Sequence, residues 1–348
     1  MTPAEELELL NAAIAKPIGQ KAHAENAFLV DSGVPPGLRE EVDTLVDETP
    51  MRYWLIDNSE SMRRKDGRKI VENDDGTLGE ETCRRFDELT ATLKWHAHIA
   101  EHLGAWTQFR LMNAAMGCQQ NVTVGARAGC GLSSFDKLCA SEPHGDTPLN
   151  AALAAVTADI ARVADALRAA NKRAVVVIAT DGEPSDGDCR DALHALSKLP
   201  VTVRVRVCTN KEGVLEYWNT VDKTCESSLD VMDDVFNEAL EVSKFNNWLT
   251  YSPLLHHIRE FGCQCKVVDH LDERTLTPAE IREFVLLVFG KTNDATLPDP
   301  VTDLPMFSAA VTKLINAAPP LWNLIMKKKT PWIDLKRGRR GSASCALS

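Results

Sequence analysis

Nowhere in the 348 residues is there an unbroken apolar run of about 20, the length a bilayer-spanning helix needs. The opening segment, MTPAEELELLNAAIAK, has no basic stretch followed by an apolar core. It reads as a surface helix over 3–15 and not as a secretory leader. Clustered cysteines are missing too. The ten (Cys83, Cys118, Cys130, Cys139, Cys189, Cys208, Cys225, Cys263, Cys265 and Cys345) are spread along a large domain, as expected of reduced thiols in a cytosolic protein. Cys263-Gln264-Cys265 would supply half a zinc site, but no second Cys/His pair of finger-like spacing accompanies it. A phosphate loop of the form Gly-x-x-x-x-Gly-Lys-Ser/Thr is also lacking.

The net charge of −11 is unevenly spread along the chain. Lys327, Lys328, Lys329, Lys336, Arg337, Arg339 and Arg340 stand against Asp334 alone, so residues 327–348 carry +6 and the remainder −17. A body this acidic repels backbone phosphates, and no nucleic acid is expected as a partner.

The apolar pattern is that of an α/β protein. Met51–Ile56 is apolar for most of its length and Arg173–Thr180 carries AVVVI, as central parallel strands buried on both faces should. Trp106–Leu111 and Asn121–Val124 read as further strands, and Val201–Val207 as one with a wetter face nearer the sheet edge. Helical spacing predicts helices over 86–103, 148–170, 188–199, 230–245, 253–261 and 308–317. Residues 281–289 fit a helix or a buried strand. Asp75-Gly76, between IVEN and TLGEE, predicts a small hairpin. The expected fold is a doubly wound, mostly parallel sheet with helices on both faces. A sixth strand is sought at 265–268. The expected divisions are an extension over 1–50, the α/β domain over 51–290, a helical extension over 291–326 and a basic tail over 327–348.

Asp57-Asn58-Ser59-Glu60-Ser61 follows the first strand directly. A carboxylate and two hydroxyls at alternate positions beyond a strand end can converge on one hard cation. Gly145-Asp146-Thr147-Pro148-Leu149 and Ala179-Thr180-Asp181-Gly182 supply the same kinds of oxygen later in the chain. In these three segments residues 50–290 resemble the von Willebrand factor type A domain family and its metal-ion-dependent adhesion site, whose pattern is Asp-x-Ser-x-Ser, a distant Thr and a later strand-end Asp.

The resemblance implies a six-stranded sheet with one antiparallel edge. It also implies direct ligation by Ser59, Ser61 and Thr147, with Asp57 and Asp181 acting directly or through water. Hard oxygen donors suit Mg²⁺, with Mn²⁺ or Ca²⁺ as alternatives. The expected function is then protein–protein binding, in which a partner presents Asp or Glu to the ion. The stretch 63–84, longer than the pattern requires, is expected to rim the site together with 125–144 and 183–188.

Two other readings remain open at this point. One is a metal-assisted hydrolase, for which His144, three residues before Thr147, would be the candidate base. The other is a scaffold whose ion is only structural. On the helix carrying His96, His98 and His102 no acidic motif supports zinc binding by the 98/102 pair, and the adjacent His256 and His257 cannot share a helical face.

The last four residues, Cys345-Ala346-Leu347-Ser348, form a prenylation box of the farnesyl type if Ser348 is the natural terminus. A single lipid chain anchors only marginally, and the basic run upstream is the second signal it needs. Each Lys or Arg near an anionic leaflet adds about 1 kcal/mol. The expected location is cytoplasmic, peripheral on the cytosolic face of a membrane, with the nucleus as runner-up because the same basic run fits a nuclear address.

Overall fold

The computed structural model describes residues 3–16, 26–224 and 229–338. They divide into two compact units. The first comprises residues up to 20, 44–71 and 80–234, and the second 21–43, 72–79 and 235 onward. The sheet-bearing unit thus ends at Asp234, short of the residue 290 expected for it.

In chain order the elements begin with helices α1 (Pro3–Ala15), α2 (Ala27–Asp31) and α3 (Pro36–Glu48). Strands β1 (Met51–Ile56), β2 (Gly67–Glu72) and β3 (Leu78–Cys83) precede helix α4 (Arg85–Leu103). Next come β4 (Thr107–Leu111), β5 (Asn121–Val124), α5 (Leu132–Cys139), α6 (Leu149–Ala161) and α7 (Ala164–Ala169). The first unit closes with β6 (Ala174–Thr180), α8 (Arg190–Ser197), β7 (Val201–Val207), α9 (Glu212–Thr224) and β8 (Leu229–Met232). The second adds α10 (Val235–Phe245), α11 (Pro253–Phe261), α12 (Lys266–Asp269), α13 (Pro278–Phe289) and α14 (Leu304–Ala317). It finishes with β9 (Leu321–Asn323), β10 (Lys328–Thr330) and α15 (Leu335–Gly338).

The central sheet has the order β5-β4-β1-β6-β7-β8. All its pairings are parallel except β4 with β5. Side-chain alternation gives the sheet two apolar faces. Met51, Tyr53, Leu55, Val176 and Ile178 pack with α1, α6, α7, α8 and α9. Trp54, Ile56, Phe109, Val175 and Val177 pack with α4 and α5 on the other side. Every residue of β1 and β6 is buried, Arg52 included, as central strands covered on both faces require. The α/β fold, the antiparallel edge and the hairpin turning at Gly76 (φ 76°) therefore stand as expected.

Four local expectations are corrected. The stretch 265–268 is not the sixth strand. It forms α12, where two adjacent buried valines, Val267 and Val268, mimic a strand. The sixth strand is β8, which overlaps the start of the stretch read as one helix over 230–245; Asp230 within it pairs with Arg204 of β7, and this charge hides the strand from a hydropathy reading. The helix expected over 148–170 breaks at Val163 (φ −120°, ψ 5°) into α6 and α7, while Ile160, Val163 and Leu167 all stay in the core. Strand β7 has no wet face: Arg204 and Arg206 are buried, the latter 3.5 Å from Glu88 of α4.

In the second unit, α13 starts with a reciprocal cap. Thr277 Oγ1 accepts from the Glu280 N–H, and Glu280 Oε2 accepts from the Thr277 N–H at 2.8 Å. The stretch 281–289, left between helix and strand, is therefore helical. Here β9 and β10 pair antiparallel. The eight described cysteines are free thiols.

Candidate metal centre

Strands β1 and β6 lie side by side with Ile56 opposite Ala179, so Asp57 and Thr180-Asp181 emerge together at the carboxyl edge. The chain leaves β1 toward α4 on one face and β6 toward α8 on the other. Such a divergence is where open α/β sheets place their ligands.

The five expected residues converge there. Asp57 Oδ1 accepts from the Ser59 N–H at 2.8 Å, and Asp57 Oδ2 faces Thr147 Oγ1 at 3.4 Å. Ser59 Oγ lies 3.1 Å from Ser61 Oγ, which donates to Asp181 Oδ1 at 2.6 Å. Asp57, Ser59, Thr147 and Asp181 are buried, and Ser61 is half-buried.

Three loops are stitched to hold this set. The Asn58 side chain accepts from the Asn113 N–H at 2.8 Å and donates to the Asn113 carbonyl at 2.9 Å, tying the end of β1 to the end of β4. Asn113 Nδ2 then donates to the Asp146 carbonyl at 2.7 Å. The Glu60 N–H donates to the Gly145 carbonyl, and the Ser185 N–H to the Thr147 carbonyl. Gly145 sits at φ 75°, and a Cβ there would come within 3.1 Å of Asn113 Oδ1.

Two residues that sequence reading passed over complete the site. Thr180 Oγ1 donates to Asp57 Oδ2 at 2.7 Å. Arg85, 3% exposed, donates from Nη1 to Asp181 Oδ2 at 2.6 Å and from Nε to Asp66 Oδ1 at 2.6 Å. Thr180 had a local signal, since it directly precedes Asp181. Arg85 had none, because 96 residues separate it from Asp181.

Burial pushes the Asp57 carboxyl up from its ordinary range, with the nearby Asp181 charge adding to it, while the Thr180 and Ser59 hydrogen bonds pull it down. Burial alone would lower Arg85, but its bonds to Asp66 and Asp181 outweigh that and hold it above its usual value. The Arg85 hydrogen bond in turn depresses Asp66.

This donor set fits a hard divalent ion. It offers two buried carboxylates and three hydroxyls, with no sulfur or imidazole among them. The recorded partners of Asp57, namely Ser59, Thr147 and Thr180, are all neutral. A buried carboxylate held only by neutral donors gains most from a cation.

The surroundings differ from expectation at one edge. Val124 pairs with Thr107 at the start of β4, and Gly125 packs on the Ala100 and Ala105 carbonyls, so 125–131 lies at the opposite end of the sheet. Only the end of the 125–144 stretch reaches the site, where the His144 N–H donates to the Asn58 carbonyl and its Nε2 lies 3.1 Å from the Ala114 carbonyl. Of the stretch 63–84, Asp66 at the foot of the hairpin reaches the candidate site through Arg85. Cys345 and residues 339–348 lie outside the described residues, and among those described no helix is long and apolar enough to cross a membrane. No model of a known protein family matches the chain, and no curated protein is significantly similar to it.

Proposed function

We propose that the chain is a metal-dependent protein-binding module of the von Willebrand factor type A kind. Ser59, Ser61 and Thr147 would hold Mg²⁺ directly, with Mn²⁺ or Ca²⁺ as substitutes, and Asp57 and Asp181 would supply the balancing charge. The ion, when bound, offers an electrophilic position to a carboxylate from a partner protein. The single observation behind this reading is the convergence of five oxygen-bearing side chains from three distant segments. Asn58, Asn113 and Gly145 orient those segments, and Thr180 keeps Asp57 facing inward.

Prenylation at Cys345 together with the basic residues from Lys327 onward would tether the module to an anionic membrane on its cytosolic face.

Mn²⁺ titration by calorimetry tests the reading. The wild-type chain is expected to bind one ion, and Ser59→Ala and Asp181→Ala to lose at least tenfold in affinity with the fold intact by circular dichroism. Binding unchanged in both variants would reject it.

A further inference from the structure

We propose that Arg85 is a fixed counter-cation of the ion site, which makes tight ion binding conditional on the partner's carboxylate. This rests on the reading of Asp57, Ser59, Ser61, Thr147 and Asp181 as that site.

Arg85 begins α4, immediately after the hairpin, and its guanidinium is buried between two acids. Asp66, at the other foot of the hairpin, engages Nε and Nη2, and this pair alone would close the hairpin base. The remaining edge of the guanidinium is spent on Asp181 Oδ2, while Ser61 holds Oδ1. Asp181 therefore meets the ion residues through Oδ1, with half its charge already answered by a group that stays protonated at any working pH.

The charges then close in a particular way. Asp57 and Asp181 contribute two buried negative charges, and Arg85 takes one back; Asp66, with its side chain 57% exposed, is screened by solvent and answers Arg85 only in part. A divalent ion leaves one positive charge in excess in a buried site, where charge imbalance is costly. One carboxylate from outside neutralises it. By linkage, whatever tightens the carboxylate on the ion tightens the ion by the same factor. Without Arg85 the two aspartates would balance the ion alone, and an arriving acid would gain less.

The test is Mn²⁺ affinity of the full chain, by calorimetry and by the electron paramagnetic resonance of free Mn²⁺, with and without acetate as the carboxylate probe. In the wild type, Mn²⁺ is expected to bind weakly alone and several-fold tighter with acetate. Arg85→Gln should tighten Mn²⁺ in the absence of acetate by roughly tenfold or more, from removal of a close like charge, and abolish most of the acetate effect. Asp66→Asn, at a side chain 57% exposed, should do the reverse and weaken Mn²⁺, because Arg85 then leans wholly on Asp181.

Opposite signs separate a charge effect from simple loss of structure, which would weaken binding in both variants. Weaker or equal Mn²⁺ binding in a folded Arg85→Gln overturns the proposal. If that variant fails to fold, equal or tighter binding in Asp66→Asn overturns it. No Mn²⁺ binding by the wild type would instead reject the ion site itself, and the proposal with it.

Discussion

Asp57 holds its place through neutral donors, and the cost of its burial falls on a few hydrogen bonds. The shortest from a side chain is the 2.7 Å donation from Thr180, so Thr180→Val should destabilise the ion-free chain by about 1–3 kcal/mol. Urea unfolding in the presence of a chelator measures this, and a saturating divalent ion should recover part of the loss. Gly145 is the other sensitive residue. An alanine there is strained by the positive φ and crowded by Asn113, so Gly145→Ala should cost about 1–2 kcal/mol. It should also weaken Mn²⁺ by displacing Thr147. The five side chains of the proposed ion site were legible in the sequence because they sit in short local patterns, after β1 for Asp57, Ser59 and Ser61, after β6 for Asp181 and before α6 for Thr147. Arg85 and Asn113 were not, since each acts on a residue far along the chain and nothing in its own neighbourhood marks it.

At the level of elements, α4 carries a group that couples stability to pH. Glu88 accepts from the Arg68 N–H and lies near Arg206. Burial and the Asp234 charge push its carboxyl up to about 7, against the opposing pull of Arg206. The folded chain thus keeps this proton where the unfolded chain has lost it. The contribution is full below about pH 4.5 and fades as the pH climbs to about 7. Glu88→Gln should flatten that fall, by roughly 1–3 kcal/mol across the window, as read from thermal midpoints at several pH values.

Elements with a strong apolar pattern, β1, β6 and α4, were plain from spacing alone, although Arg52 of β1 and Arg85 of α4 are buried charges. Strands β7 and β8, where charge interrupts a short pattern, were misread. Arg204 and Arg206 made β7 look wet, and Asp230 made β8 look helical, because a buried ion pair satisfies residues that hydropathy assigns to solvent.

For the molecule as a whole, the α/β class followed from the order of elements. The division between the two units did not, because residues 235–290 are as apolar as the sheet-bearing part, and spacing cannot say which unit a helix joins. The proposed prenylation at Cys345 bears on location. Expressed in a eukaryotic host, the intact chain should gain the mass of one farnesyl group. Cys345→Ser should abolish that gain and reduce binding to anionic vesicles, more strongly at high salt, where the basic residues alone are screened. An unmodified mass in both would remove the anchor.

The most direct test of the ion site is a crystal grown with millimolar Mn²⁺ and its anomalous difference map. The expected result is one peak within roughly 2–2.5 Å of the Ser59, Ser61 and Thr147 hydroxyl oxygens. Ordered side chains in the arrangement described above, with no peak among them, would contradict it.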